Sequence, residues 1–196
     1  MLLLWLFMAS SVQAQIFPTS LGGITLGEDI SSIEKICRMH TQIPLSRERH
    51  LMEVQLIPDH APGIKSGTVA YANCDQVGRI VRIKLKFDNE TREFFDDLLR
   101  RYRARFGKPL EWRGDPFQTV MSWKWSFTDL QGEQVNLELT HSRDDDYKTG
   151  NFVKMTLRSL WVREDACQDA KAQSGGPDDS GPTPANKLDY RLLIPQ

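Results

Sequence analysis

Apolar and polar residues alternate along Ile80–Phe87 and again along Val135–His141, each time after a turn-forming stretch. Asp75-Gln-Val-Gly-Arg-Ile-Val-Arg-Ile-Lys-Leu-Lys-Phe87 aligns without a gap on Asp129-Leu-Gln-Gly-Glu-Gln-Val-Asn-Leu-Glu-Leu-Thr-His141. Gly78 falls on Gly132, Val81 on Val135, Ile83 on Leu137 and Leu85 on Leu139. Both copies read as a turn followed by a half-buried strand, with glycine where φ must be positive. The strand before each turn repeats as well: Gly67–Asn73 and Val120–Phe127 lie at the same offset, with Trp123 in the place of Val69 and Trp125 in that of Tyr71. In the first hairpin the pattern puts Val69 and Tyr71 on one face with Val81, Ile83 and Leu85, and Ala70, Ala72 and Cys74 on the other. Leu51–Ile57, stopped by Pro58, and Asn151–Trp161 complete the predicted strands.

The period changes to that of a helix over Glu90–Phe106, where Phe94, Phe95, Leu98, Leu99, Tyr102 and Phe106 form one apolar stripe. Asn89 is the expected N-cap, and Gly107 followed by Pro109 is a helix stop. Asp29–Cys37, with Ile30, Ile33 and Ile36 at helical spacing, predicts a shorter amphipathic helix capped by Asp29. The stretch Arg38–His50 reads as a connection, and Arg163–Ala172 as a short helix. The fold class is therefore expected to be α+β: two tandem helix-plus-three-strand meander units, 15–88 and 89–172, sharing one antiparallel sheet with both helices on one face and the other face open.

Residues 1–14 form a short apolar run ending Val12-Gln-Ala14, read as a secretory signal peptide that leaves a periplasmic or secreted protein with no transmembrane segment. Residues 173–196 begin Gln-Ser-Gly-Gly-Pro-Asp-Asp and are expected to be a disordered tail, since they offer little apolar surface against the entropy of ordering. Leu188–Pro195 is more apolar and is the one docking peptide the tail could contain.

A formal net charge of -1 and a pI near 6.4 provide no global attraction for nucleic acid or an anionic membrane. The three cysteines, Cys37, Cys74 and Cys167, allow one internal bridge, and their spacing matches no zinc pattern. Cys37 with Cys74 is the expected pair and Cys74 with Cys167 the alternative. The four histidines are scattered, and no cofactor or metal is expected. An enzymatic reading, a small hydrolase, would place its site around His141 and Asp144–Asp146. A non-catalytic reading rests on Leu110-Glu-Trp-Arg-Gly-Asp-Pro-Phe117, where Trp112 and Phe117 either stand out as binding anchors or fold over the helix end. Arg100 and Arg103 belong to a basic run that could meet an acidic partner. Against this, Glu93, Asp96 and Asp97 lie within helical reach of Arg100 and Arg101.

Leu26-Gly-Glu-Asp29-Ile-Ser-Ser-Ile33 opening the first helix, together with the two Asp-x-x-Gly-x-x-Val hairpins, resembles the small exported bacterial proteins built from tandem helix-plus-meander units. The β-lactamase inhibitor protein and the outer-membrane assembly lipoprotein BamE are familiar architectures of this kind. The resemblance implies a role in protein binding or envelope assembly, by analogy of architecture. This chain lacks the anchoring cysteine of the lipoprotein and has no inhibitor loop that maps onto it. The expected partner is an envelope or secreted protein.

Overall fold

A computed structural model describes residues 17–144 and 149–174; the expected signal peptide and nearly all of the expected tail lie outside them. A two-stranded ribbon, β1 (Ser20–Leu21) and β2 (Ile24–Thr25), leads into a 3₁₀ helix over Ile30–Ile36. Eight strands form one antiparallel sheet: β3 (Cys37–Pro44), β4 (Leu51–Leu56), β5 (Ile64–Ala72), β6 (Ile80–Phe87), β7 (Glu111–Gly114), β8 (Val120–Thr128), β9 (Gln134–Ser142) and β10 (Gly150–Leu157). Helix α1 (Arg92–Phe106) follows β6, and α2 (Arg158–Ser174) follows β10. The spatial order is β3-β4-β5-β6-β10-β9-β8-β7, so β6 and β10 meet at the centre and β3 and β7 are the edges.

The α+β class and the antiparallel sheet agree with the pattern of the sequence, while the strand count does not. Each half contains four strands rather than three: β3 lies almost wholly within Arg38–His50, expected as a connection, and β7 within Leu110–Phe117, where the pattern predicts no strand. Cys37, Met39 and Ile43 do alternate with polar residues, but Pro44 and a register shift between Arg38 and Ile43 interrupt the strand, as an edge position permits. The repeated hairpins also hold different places. β5–β6 are the third and fourth strands of their half and β8–β9 the second and third of theirs.

One face carries the main core. Trp125, Leu137, Met155, Ile83, Val69 and Val54 stand side by side across six strands, all buried, under Phe95 and Leu99 of α1 and Ile33 of the 3₁₀ helix. The pleat turns every second side chain of a strand to the same face, which makes this row possible, and burying each large side chain stabilises by about 1.5 to 3 kcal/mol. The first helix is 3₁₀ rather than α and spans seven residues, since Cys37 already belongs to β3. Thr91, not Asn89, caps α1: its hydroxyl accepts from the Phe94 N–H, while Asn89 Oδ1 accepts from the Thr91 N–H.

The other face is not open throughout. Val81, expected beside Ile83, is turned to it by a bulge: Ala70 pairs with Arg82 but Tyr71 with Ile80. Val81 then packs with Leu51, Ala70, Ala72 and Leu160 of α2, a helix that begins at Arg158, inside the strand predicted to reach Trp161. So the 3₁₀ helix and α1 share one face, and α2 lies across part of the second.

Two devices hold α2 down. The disulfide joins Cys74 to Cys167, and Cys37 is free and buried. This corrects the expected Cys37–Cys74 pair: Cys37 packs in the α1-side core, whereas Cys74 continues the alternation of Ala70 and Ala72 toward α2. One turn earlier, the fully buried Glu164 carboxylate accepts from the backbone N–H groups of Cys74 (2.7 Å), Asp75 (3.1 Å) and Gln76 (2.6 Å). A buried charge is tolerable only when its lone pairs are satisfied in this way. Among the described residues no helix is long and apolar enough to cross a membrane.

Candidate functional site

Helix α1 ends at Gly107, whose φ of 77° suits a residue without Cβ and whose carbonyl accepts from Trp125 Nε1 at 3.0 Å. Pro109 then turns the chain onto the sheet edge as β7. Register places Trp112 opposite Trp123, their rings 6.2 Å apart, and the Arg103 guanidinium from α1 lies 4.5 Å from the Trp123 ring centroid. Arg103, Lys108, Pro109, Leu110, Trp112 and Trp123 line a shallow cleft here. Leu110 is 73% exposed, Trp112 47% and Phe117 81%, so neither Phe117 nor Trp112 is folded away over the helix end. Gly114 matters to this arrangement: a Cβ there would come within 2.6 Å of Trp112 Cζ2, so the absent side chain leaves space for the indole along the edge.

Phe117 is presented at the tip of the β7–β8 turn by Asp115. The Asp115 carboxylate accepts from the N–H of Val120 (2.6 Å) and Phe117 (3.0 Å), and the Val120 bond holds its pKa below the ordinary value. Glu111 is likewise lowered, chiefly by the Arg113 guanidinium bonded to it at 2.6 Å on the opposite face of β7. Arg100 is occupied elsewhere. It pairs with Asp97, which also takes Arg101 at 2.7 Å, so Arg100 and Arg101 form a solvated helical cluster and only Arg103 of the two predicted arginines reaches the cleft. Trp123 and Gly114 were not expected at the site. Trp123 was legible only as a strand residue, and the need for Gly114 becomes visible only once the Trp112 ring is placed.

His141, the centre of the enzymatic reading, is buried beneath α1 with its ring 5.5 Å from Phe95. Its Nδ1 lies 2.7 Å from Asn151 Oδ1, and Asn151 Nδ2 donates to the carbonyls of Asn89 (2.9 Å) and Thr91 (2.8 Å). Because the amide NH₂ is committed to those carbonyls, Oδ1 must accept, and the imidazole proton resides on Nδ1. This network pins the start of α1 to β9 and β10. The partner is an amide rather than a carboxylate; of the adjacent run, Asp145 and Asp146 lie outside the described residues. Among the described residues, no group of three or more His, Cys, Asp and Glu is placed to hold a metal ion.

On the second face, Lys154 pairs with Glu138 at 2.8 Å, and Arg82 makes a two-pronged contact with Glu48 at 2.8 and 2.9 Å. That contact, more than the Trp161 Nε1–H bond at 3.1 Å, holds the Glu48 carboxyl below its ordinary value. Arg158 covers the Trp161 ring at 4.0 Å, so α2 and this charged cluster form one surface. Comparison with protein-family models, with curated proteins and with solved structures finds no match for this chain.

Proposed function

We propose that the chain is a non-catalytic binding module acting outside the cytoplasm, and that it recognises another protein through the surface at β7. The observation that carries this reading is the exposure of Leu110, Trp112 and Phe117 along one sheet edge, beside Arg103 stacked on Trp123. Tryptophan and arginine dominate the energetics of protein interfaces because each combines a large apolar area with directed polar contact. An oxidising location is supported by the Cys74–Cys167 bridge, of a kind that reducing compartments disfavour, and by the reading of Met1–Ala14 as an export signal.

Affinity capture from the envelope fraction of the source cells tests it, with Trp112→Ala and Phe117→Ala run in parallel and recovery quantified by mass spectrometry. A partner retained by the natural chain and reduced at least tenfold by Trp112→Ala is expected, a loss of about 1.4 kcal/mol. Identical recovery with all three proteins would refute this surface.

The same reading takes the two halves as copies of one helix-plus-meander unit. In its favour, each half has a helix ahead of four successive antiparallel strands. Against it, the sequence repeat superposes hairpins one strand out of step. Relatives in which β3–β6 align in sequence with β7–β10, strand for strand, would establish the duplication; relatives that keep only the hairpin offset would refute it.

A further inference from the structure

Resting on that proposed function, we infer the form of the partner: an extended, acidic peptide segment that adds to the sheet as a ninth strand along β7. Three observations lead there, beginning with the backbone. The Asp115 N–H bonds to the Val120 carbonyl at 3.3 Å, and register continues through Arg113 opposite Ser122. Antiparallel ladders alternate inward and outward residues, so the N–H and C=O groups of Trp112 and Gly114 turn toward the free edge. Among the described residues no strand lies beyond β7.

The two edges are treated differently. β3 is blunted by its register shift, by Thr41 Oγ1 accepting from the Gln55 N–H at 3.0 Å, and by Pro44 at its end. Bulges and prolines are the usual protections against strand addition. Glu111–Gly114 itself has neither, its flanking Pro109 and Pro116 standing outside the strand, and β7 presents Trp112 and the adjoining Leu110 to whatever pairs with it.

Charge then selects the occupant. Arg103 and Lys108 line the cleft where α1 ends beside β7, and neither has a carboxylate partner among the described residues, whereas Arg100, Arg101, Arg92 and Arg113 all do. A second copy pairing β7 with β7 would bring two such unbalanced cluster ends together. The chain's own Lys187–Ile194, with Lys187, Asp189 and Arg191, is net positive. An acidic strand is the occupant that neutralises the cluster while its backbone completes the ladder, the mode of recognition known as strand addition.

Random dodecapeptides displayed on phage and selected on the full chain test this. The recovered sequences should be net acidic. Synthetic copies should lose at least tenfold in affinity on Trp112→Ala, and on Arg103→Glu/Lys108→Glu, whose positions are exposed and compatible with folding. N-methylating alternate peptide residues should abolish binding in one phase and spare it in the other, since only one set of N–H groups faces β7. Equal effects in both phases, a neutral or basic consensus, or no selected peptide would overturn strand addition. So would tighter binding of a synthetic 187–196 peptide, or a dimer in sedimentation that Trp112→Ala dissociates. Acidic peptides insensitive to the β7 and α1 variants but lost on Lys84→Glu or Arg38→Glu would overturn it too, while leaving a binding module intact. The envelope capture described above still succeeds when strand addition fails, because a partner lost on Trp112→Ala need not be an extended acidic strand.

Discussion

Helix α2 is held on the sheet by two contacts at one place, and removing them should show that they act together. The disulfide closes a loop between residues 93 apart. For a loop of that size the chain-entropy picture assigns about 4 to 5 kcal/mol to the bridge, through the freedom it removes from the unfolded chain. Cys74→Ser/Cys167→Ser should therefore lower the midpoint of urea unfolding by roughly 2 M, taking a slope of about 2 kcal/mol per molar. Glu164→Gln replaces one of the two oxygens that face the N–H groups of Cys74, Asp75 and Gln76 with an NH₂ group, which can only oppose them. Leaving such donors unsatisfied costs about 1 to 3 kcal/mol.

Both grips close on the same turn, between β5 and β6, from positions one helical turn apart. Once the bridge is gone, the second half of α2 can lift from that turn, and the turn can hydrate. The Glu164→Gln penalty should then shrink, so the triple variant is more stable than the two costs added together would make it, by about 1 kcal/mol or more. Equilibrium urea curves on the four proteins, followed by circular dichroism, measure this directly. A double-serine variant within about 1 kcal/mol of the natural chain would refute the entropic assignment. A Glu164→Gln penalty unchanged by removal of the bridge would refute the coupling.

Gly114→Ala should fold but displace the Trp112 indole, because the new Cβ would sit 2.6 Å from Cζ2 and 2.9 Å from the Val120 carbonyl oxygen. Greater acrylamide quenching of tryptophan emission, absent in a Trp112→Phe background, is the expected readout. Asn151→Ala removes three polar contacts that secure His141 and the start of α1, and should destabilise the chain by about 2 to 4 kcal/mol; a thermal midpoint equal to that of the natural chain would contradict this. Burial pushes the Tyr102 phenol up to about 12. A raised pKa contributes stability that is complete below the unfolded value of about 10 and lost as pH climbs through the folded one. Burial raises Tyr71 as well, so absorbance titration should find late-ionising tyrosine of which Tyr102→Phe removes one residue's share, and that variant's stability should decline less between those two values.

What the amino-acid pattern revealed divides along a physical line. Strands β5, β6, β8 and β9 were legible because each buries one face in the core beneath α1 and the 3₁₀ helix, which imposes alternation, and α1 was legible because a helix on a sheet needs a continuous apolar stripe. Edge strands have no such obligation. β7 spans four residues whose side chains are half-buried or exposed, so no core demand marks it as a strand. For the same reason Trp112 and Phe117 could be singled out as aromatic residues in a Gly- and Pro-bearing stretch, while the contribution of Arg103 depends on α1 ending beside β8, a long-range adjacency. The Cys74–Cys167 pair was legible only as the alternative for a related cause: it requires a helix on the second face, and Asn151–Trp161 looked like unbroken strand across the junction at Arg158. Yet a trace of that helix was present. Ala70 and Ala72, followed on the same face by Cys74, are small where a solvent-facing strand has no reason to be, and small side chains are what allow Leu160 to seat against Leu51 and Val81. Two alanines and a cysteine on one side of an interior strand are thus a signal for a covering element, and α2, which carries Cys167, is the element that meets it.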